Sequence, residues 1–141
     1  MATPTGGVEI IPRLWIGSNK TCDVLRRQAN FVCINVGEHV HTNDQRCNFI
    51  PICGAGVYVD YDALTRIERQ LLAQWPSNGS ALVHCAKGLT YSPLTMALYC
   101  QARYSISLQQ AYQWVLDKQP QAQDLSQLAA PVSNHTAWAG G

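Results

Sequence analysis

No basic run long enough to follow a nucleic-acid backbone occurs in this chain of 141 residues. Its ten Lys and Arg are set against nine Asp and Glu, for a formal net charge of +1. Nucleic acid is therefore not an expected partner. A positive potential at one pocket stays compatible with that balance, because net charge averages over the whole surface. No apolar run approaches the length of a membrane span, so no membrane partner is expected either. The start "MATPTGGVEI" lacks the basic head and apolar core of a secretory leader. The expected setting is intracellular, cytoplasmic or nuclear. The six cysteines, Cys22, Cys33, Cys47, Cys53, Cys85 and Cys100, include no C-x-x-C pair. That removes the zinc-ribbon and thioredoxin readings. In a reducing compartment most of them are expected as thiols. His39, His41 and Cys47 fit no common ligand spacing, and no metal or other cofactor is expected. "NGS" at Asn78 and "NHT" at Asn134 match a glycosylation pattern and, without a leader, are read as chance. Internal repeats are absent.

What is present is a globular composition, 47% hydrophobic, at a length that suits one domain with a single core. The expected layout is an N-terminal extension over 1–7, a domain over 8–130, and a polar, glycine-ended tail over 131–141 that is flexible. "VEIIPRLWIG" reads as a strand entering a turn at Gly17, and "TCDVLRRQ" as a short helix. "NFVCINV" is a buried strand ended by Gly37. After the turn-rich "EHVHTNDQ", "NFIPI" is the next short strand, and "CGAG" is a loop. In "DYDALTRIERQLLAQW" the apolar Leu64, Ile67, Leu71 and Trp75 recur at helical spacing. Asp60 or Asp62 is placed to cap that helix, and "PSNG" to stop it. "SALVHC" is the central strand. Residues 92 to 104 form a helix with Pro93 in its first turn. "SLQQAYQWVLDK" is another, capped by Ser107, with Leu108, Ala111, Tyr112 and Val115 inside. "DLSQLAA" adds a turn or two. Trp15, Trp75 and Trp114 are read as core, Trp138 as part of the tail. Alternating strands and helices predict an α/β domain with a mostly parallel central sheet flanked by helices. Ligands of such sheets bind at the carboxyl ends of the strands, where Cys85 falls.

The segment "ALVHCAKGLTYSPLTMALY" carries the chemistry. A strand delivers His84 and Cys85, a loop with Gly88 follows, and a helix opens near Ser92-Pro93. A helix N-terminus and converging N–H groups activate a cysteine and make a nest for an anion. Gly88 permits the turn. Ser92 stands where a hydroxyl can donate to the sulfur, and His84 where it can brace the loop. The plainer reading of Cys85 is a buried, inert thiol.

"HCAKGLTYSP" resembles the signature loop of the cysteine-dependent protein tyrosine phosphatases, H-C-x-x-x-x-x-R-[ST]. "EIIPRLWIGS", "ALVHC" and "SLQQAYQWV" are similar to the dual-specificity subfamily. The resemblance runs from about Val8 to Leu128. It implies a sheet flanked by helices and a shallow phosphate pocket open to phosphotyrosine, phosphoserine and phosphothreonine. It also implies a phosphate-binding loop made of His84, Cys85, Ala86, Lys87, Gly88, Leu89, Thr90 and Tyr91, with Cys85 as nucleophile and Ser92 as its helper. Two positions depart from the pattern. The arginine falls on Tyr91, which is neutral and has no planar fork. The general-acid aspartate falls near Cys53 or Gly54, where there is no carboxylate; Asp60 and Asp62 are read as caps.

The expectation is a catalytically impaired dual-specificity phosphatase-like domain, a pseudophosphatase, that binds a phosphorylated protein or a signalling partner. The alternatives are a weakly active cysteine-dependent phosphatase and a rhodanese-like sulfurtransferase, which also mounts a cysteine in a cradle-like loop. Lys87 is read as a solvated rim residue before a replacement cation. Cys53 is read as a plain loop thiol before a disulfide partner of Cys85. Two placements of Tyr91 stay open: over the pocket, or packed into the domain.

Overall fold

The computed structural model describes residues 7–53, 58–74 and 79–126. The N-terminal extension up to residue 6, Gly54, Trp75, Asn78 and the tail with Asn134 and Trp138 lie outside the described residues. So does any continuation of "DLSQLAA" beyond Ser126.

"VEIIPRLWIG" makes two strands rather than one. β1 (Val8–Ile11) and β2 (Leu14–Gly17) pair antiparallel. The turn falls at Pro12, which has no N–H for a ladder, and at Arg13, whose φ is 66°. A left-handed non-glycine residue costs about 1–2 kcal/mol. Two hydrogen bonds offset that cost. The Arg13 N–H donates to the Glu9 carboxylate at 2.7 Å, and its guanidinium donates to the Gly79 carbonyl at 3.1 Å. α1 (Asn19–Leu25) starts from a reciprocal cap in which Ser18 and Thr21 each accept from the other's N–H, at 3.1 and 3.3 Å, satisfying two donors that the first turn leaves free.

β3 (Phe31–Asn35) follows. β4 (Cys47–Phe49) takes in Cys47 and ends before Ile50-Pro51, because Pro51 cannot donate to a ladder. α2 (Tyr61–Gln74) buries Leu64, Ile67 and Leu71 as the spacing predicts. The Asp60 carboxylate accepts from the Ala63 N–H at 3.0 Å, the cap expected of it. β5 (Ser80–His84) leads to α3 (Tyr91–Tyr104), which ends on left-handed Ser105. α4 (Leu108–Lys118) buries Leu108, Ala111, Tyr112 and Val115. Ser107 caps it by accepting from the Gln110 N–H at 3.0 Å. Ser107→Ala should cost about 1 kcal/mol of stability, read as a lower urea midpoint with an unchanged slope. No described helix is long and apolar enough to cross a membrane.

The sheet order is β1-β2-β5-β3-β4, parallel at every pairing except β1–β2. β5 is central and buried from Ala81 onward, as an apolar strand covered on both faces should be. Strand side chains alternate between faces, and here they feed two cores. Leu14, Ile16, Ile34, Ala81 and Val83 join the larger one, with buried residues of α2, α3 and α4. Cys33, Cys47 and Leu82 join a smaller one with Cys22 and Leu25 of α1. Trp15 packs at the margin of the smaller core and Trp114 at that of the larger. Both are half-buried rather than central.

Candidate active site

The parallel register sets Gly17, His84 and Asn35 abreast at the carboxyl ends of β2, β5 and β3. Cys85 is the first residue past that line. Its N–H donates to the Gly17 carbonyl at 3.2 Å, and the His84 carbonyl accepts from the Val36 N–H at 2.8 Å. The loop then folds over the end of β2, where the Asn19 N–H donates to the Ala86 carbonyl at 3.1 Å. Gly88 makes this approach possible. Its φ is +77°, and a Cβ there would lie 2.7 Å from the Gly17 carbonyl carbon. On the far side the Leu89 carbonyl accepts from the Gln123 N–H at 2.7 Å. The Thr90 hydroxyl donates to the Gln123 side chain at 3.5 Å and leaves the N-terminus of α3 without a side-chain cap.

Cys85 is buried and meets Ser92 twice. The Ser92 N–H donates to the sulfur at 3.4 Å, and the thiol donates to Ser92 Oγ at 3.5 Å. Ser92 Oγ also lies 3.5 Å from the Gly17 carbonyl, so its hydroxyl is held between the sulfur and the end of β2. Ala86 and Lys87 are exposed, Gly88 is buried, and Leu89, Thr90 and Tyr91 are half-buried. The exposure of Lys87 matches the rim reading.

The segment after β3 also reaches the site. A Cβ on Gly37 would lie 3.2 Å from the Cys85 Cβ, and the Gly37 N–H donates to Asn35 Oδ1 at 2.9 Å. This backbone contact was invisible in the sequence, where Gly37 reads only as a strand end. Glu38 follows it, with its carboxylate near the Tyr91 hydroxyl. Burial, first, and this carboxylate, second, push the Tyr91 hydroxyl above its ordinary range; Cys53 and Cys85 add to the same shift. Tyr91 also packs against the larger core. It therefore combines the two placements left open by the sequence: ring against the domain, hydroxyl among the groups around Cys85. Cys53, half-buried, is bridged to Val59, and its thiol is pushed up by burial and then by Glu38. No disulfide joins it to Cys85; all six cysteines are free.

The structure overturns the bracing role read for His84. Its ring points away from the loop, with Nε2 3.2 Å from Cys47 Sγ. Its Nδ1 has no hydrogen-bond partner among the described residues. The alternation along β5 explains this: His84 shares the face of Leu82, toward α1.

The fold recurs in solved structures. A mouse putative dual specificity phosphatase aligns with a TM-score of 0.72 at 23% identity, covering 92% of this chain and 86% of that one. The chain has the dual-specificity phosphatase fold. PTPMT1 aligns with a TM-score of 0.75 at 12% identity over 95% of this chain and 96% of its own. A human tyrosine phosphatase-like serine/threonine/tyrosine-interacting protein gives 0.71 at 14% identity over 92% and 98%. No family model and no curated protein matches the chain. Identities this low speak for the fold, so the chemistry has to be argued from the residues mounted on it. On this dual-specificity phosphatase fold, the arginine position of the signature loop is held by Tyr91, the first residue of α3.

Proposed function

We propose that the domain is a catalytically impaired phosphatase that works by binding, a pseudophosphatase whose partner is a phosphorylated protein or another signalling protein. The observation that carries this reading is Tyr91 at the arginine position of the loop, with the Glu38 carboxylate near its hydroxyl. A transferring phosphoryl group needs positive charge and several donors on its oxygens. Here the position supplies one neutral hydroxyl, and a carboxylate lies near it. Glu38 adds negative charge where a phosphate dianion would have to settle. A structural neighbour described as a phosphatase-like interacting protein supports extending a binding role to this fold. Six free thiols suit a reducing compartment, cytoplasm or nucleus.

The intact contact between Cys85 and Ser92 favours a second reading, a weak cysteine-dependent phosphatase. No observation favours the sulfurtransferase alternative. Hydrolysis of an aryl phosphate separates the first two. The proposal expects wild-type turnover indistinguishable from that of Cys85→Ser, with a phosphopeptide or partner still bound by both. Turnover at ordinary phosphatase rates that disappears in Cys85→Ser overturns it, and slow turnover lost in the same variant selects the second reading.

A further inference from the structure

His84 is turned away from the phosphate loop because it belongs to another cluster. Ligand-capable atoms of Cys22, Cys47 and His84 all lie within 4.8 Å of one another, and all three residues are buried. They come from α1, β4 and β5. Cys33 of β3 stands beside Cys47 in the parallel register and is buried in the same small core as Cys22 and Cys47. We propose that Cys22, Cys33, Cys47 and His84 form a binding site for one soft divalent cation of the zinc type.

The donor set selects the ion. Thiolates and imidazole suit zinc and its softer relatives, whereas magnesium and calcium require oxygen. Cys22, Cys47 and His84 supply three positions of a tetrahedron, and Cys33, in the same buried core, would have to close on the ion to fill the fourth. Around them lie Leu25 and Leu82, with Trp15 and Phe31 at the margin, a dry shell that keeps competing water away. A cation also stands beside the sulfurs. Three thiolates and a divalent ion carry one net negative charge, and Arg26 donates to Cys22 Sγ at 3.6 Å. Arg26 is itself held by Asp23 at 2.6 Å and Asp44 at 3.2 Å, so its guanidinium is fixed beside the sulfur. Each thiol that binds gives its proton to solvent. Entry is from the sheet edge: β4 is the last strand, and Cys47 is the most exposed of the four at 9%.

A disulfide would use only two of the three sulfurs and would leave the imidazole with an orphan nitrogen in an apolar shell. A shared cation uses all four side chains. Because His84 directly precedes Cys85, an ion here would tie the base of the phosphate loop to α1 and β4. The site does not depend on whether that loop is catalytic.

Cobalt(II) titration of the full chain, reduced and stripped of metal, tests the assignment. The expected result is the intense visible spectrum of tetrahedral, thiolate-bound cobalt, saturating at about one equivalent and displaced by zinc. Cys22→Ser and Cys47→Ser should each lose it, while Cys53→Ser and Cys85→Ser keep it. A weak octahedral spectrum in the wild type overturns the proposal. So does a spectrum retained in both Cys22→Ser and Cys47→Ser, or one lost in Cys85→Ser. Should those variants fail to fold by circular dichroism, cadmium-113 resonance of the wild-type protein decides. A shift characteristic of a sulfur-rich site supports the cluster, and one characteristic of oxygen ligation rejects it.

Discussion

Tyr91→Arg joined to Gly54→Asp should raise aryl phosphate hydrolysis at least about 10³-fold over the wild type. An arginine on a transferring phosphoryl group is worth about 10³–10⁵ in rate in other phosphoryl-transfer systems, and a general acid about 10²–10⁴. The two need not multiply, so the lower bound is the arginine alone. The rest of the machinery is in place for the gain: Cys85 is held against the Ser92 N–H at 3.4 Å, and Gly88 keeps the loop in its turn. Glu38 complicates the outcome in a useful way. Its carboxylate lies near the Tyr91 hydroxyl, and an introduced guanidinium at that position would pair with it. Adding Glu38→Gln should therefore release the guanidinium toward phosphate and raise the rate again. Cys85→Ser in the same background should erase the whole gain. A double variant that binds phosphate but hydrolyses no faster than the wild type would mean that something other than these two positions disables the site.

Gly88→Ala should be the most damaging single change in the loop, at about 2–4 kcal/mol of stability. Left-handed backbone costs an alanine about 1–2 kcal/mol, and the new methyl would meet the Gly17 carbonyl at 2.7–2.8 Å. That neighbour is backbone inside a paired strand and cannot rotate away, so the loop must lift off β2. The expected readouts are a lower urea midpoint and loss of any phosphate-stabilising effect on thermal unfolding. Gly37→Ala is the comparison. Its nearest contact is a side-chain carbon at 3.2 Å, and it needs no left-handed backbone, so it should cost clearly less. Equal losses in both variants would argue that backbone strain at Gly88 is not what matters.

Local pattern carried much of this architecture. The period of Leu64, Ile67 and Leu71 and that of Leu108, Ala111, Tyr112 and Val115 announced α2 and α4. Asp60 and Ser107 marked their starts, because a cap is decided within a few residues of the chain. The unbroken apolar run of β5 announced the central strand. The β1–β2 hairpin escaped because its left-handed residue is an arginine rather than a glycine. That conformation rests on Glu9 nearby and Gly79 far away, and only the first of those is local.

Some of the site was also within reach. Leu82 and His84 share parity, so the ring of His84 had to point to the face opposite Val83; reading that alternation one residue further would have taken it out of the phosphate loop. The meeting of Cys22, Cys47 and His84 could not be read the same way. Their spacing along the chain fits no ligand motif, because parallel register, not sequence distance, brings them together.

By itself, then, the sequence determined the helices, the central strand, the shape of the Cys85 loop and the replacement of its arginine by Tyr91, since each depends on neighbours a few residues apart. The tertiary structure alone decided that Glu38 lies near the Tyr91 hydroxyl, that Gly37 presses on Cys85, and that His84 meets Cys22 and Cys47. Those contacts arise where strand ends and helix starts from distant parts of the chain are set side by side, and no local pattern records which side chains will face each other there.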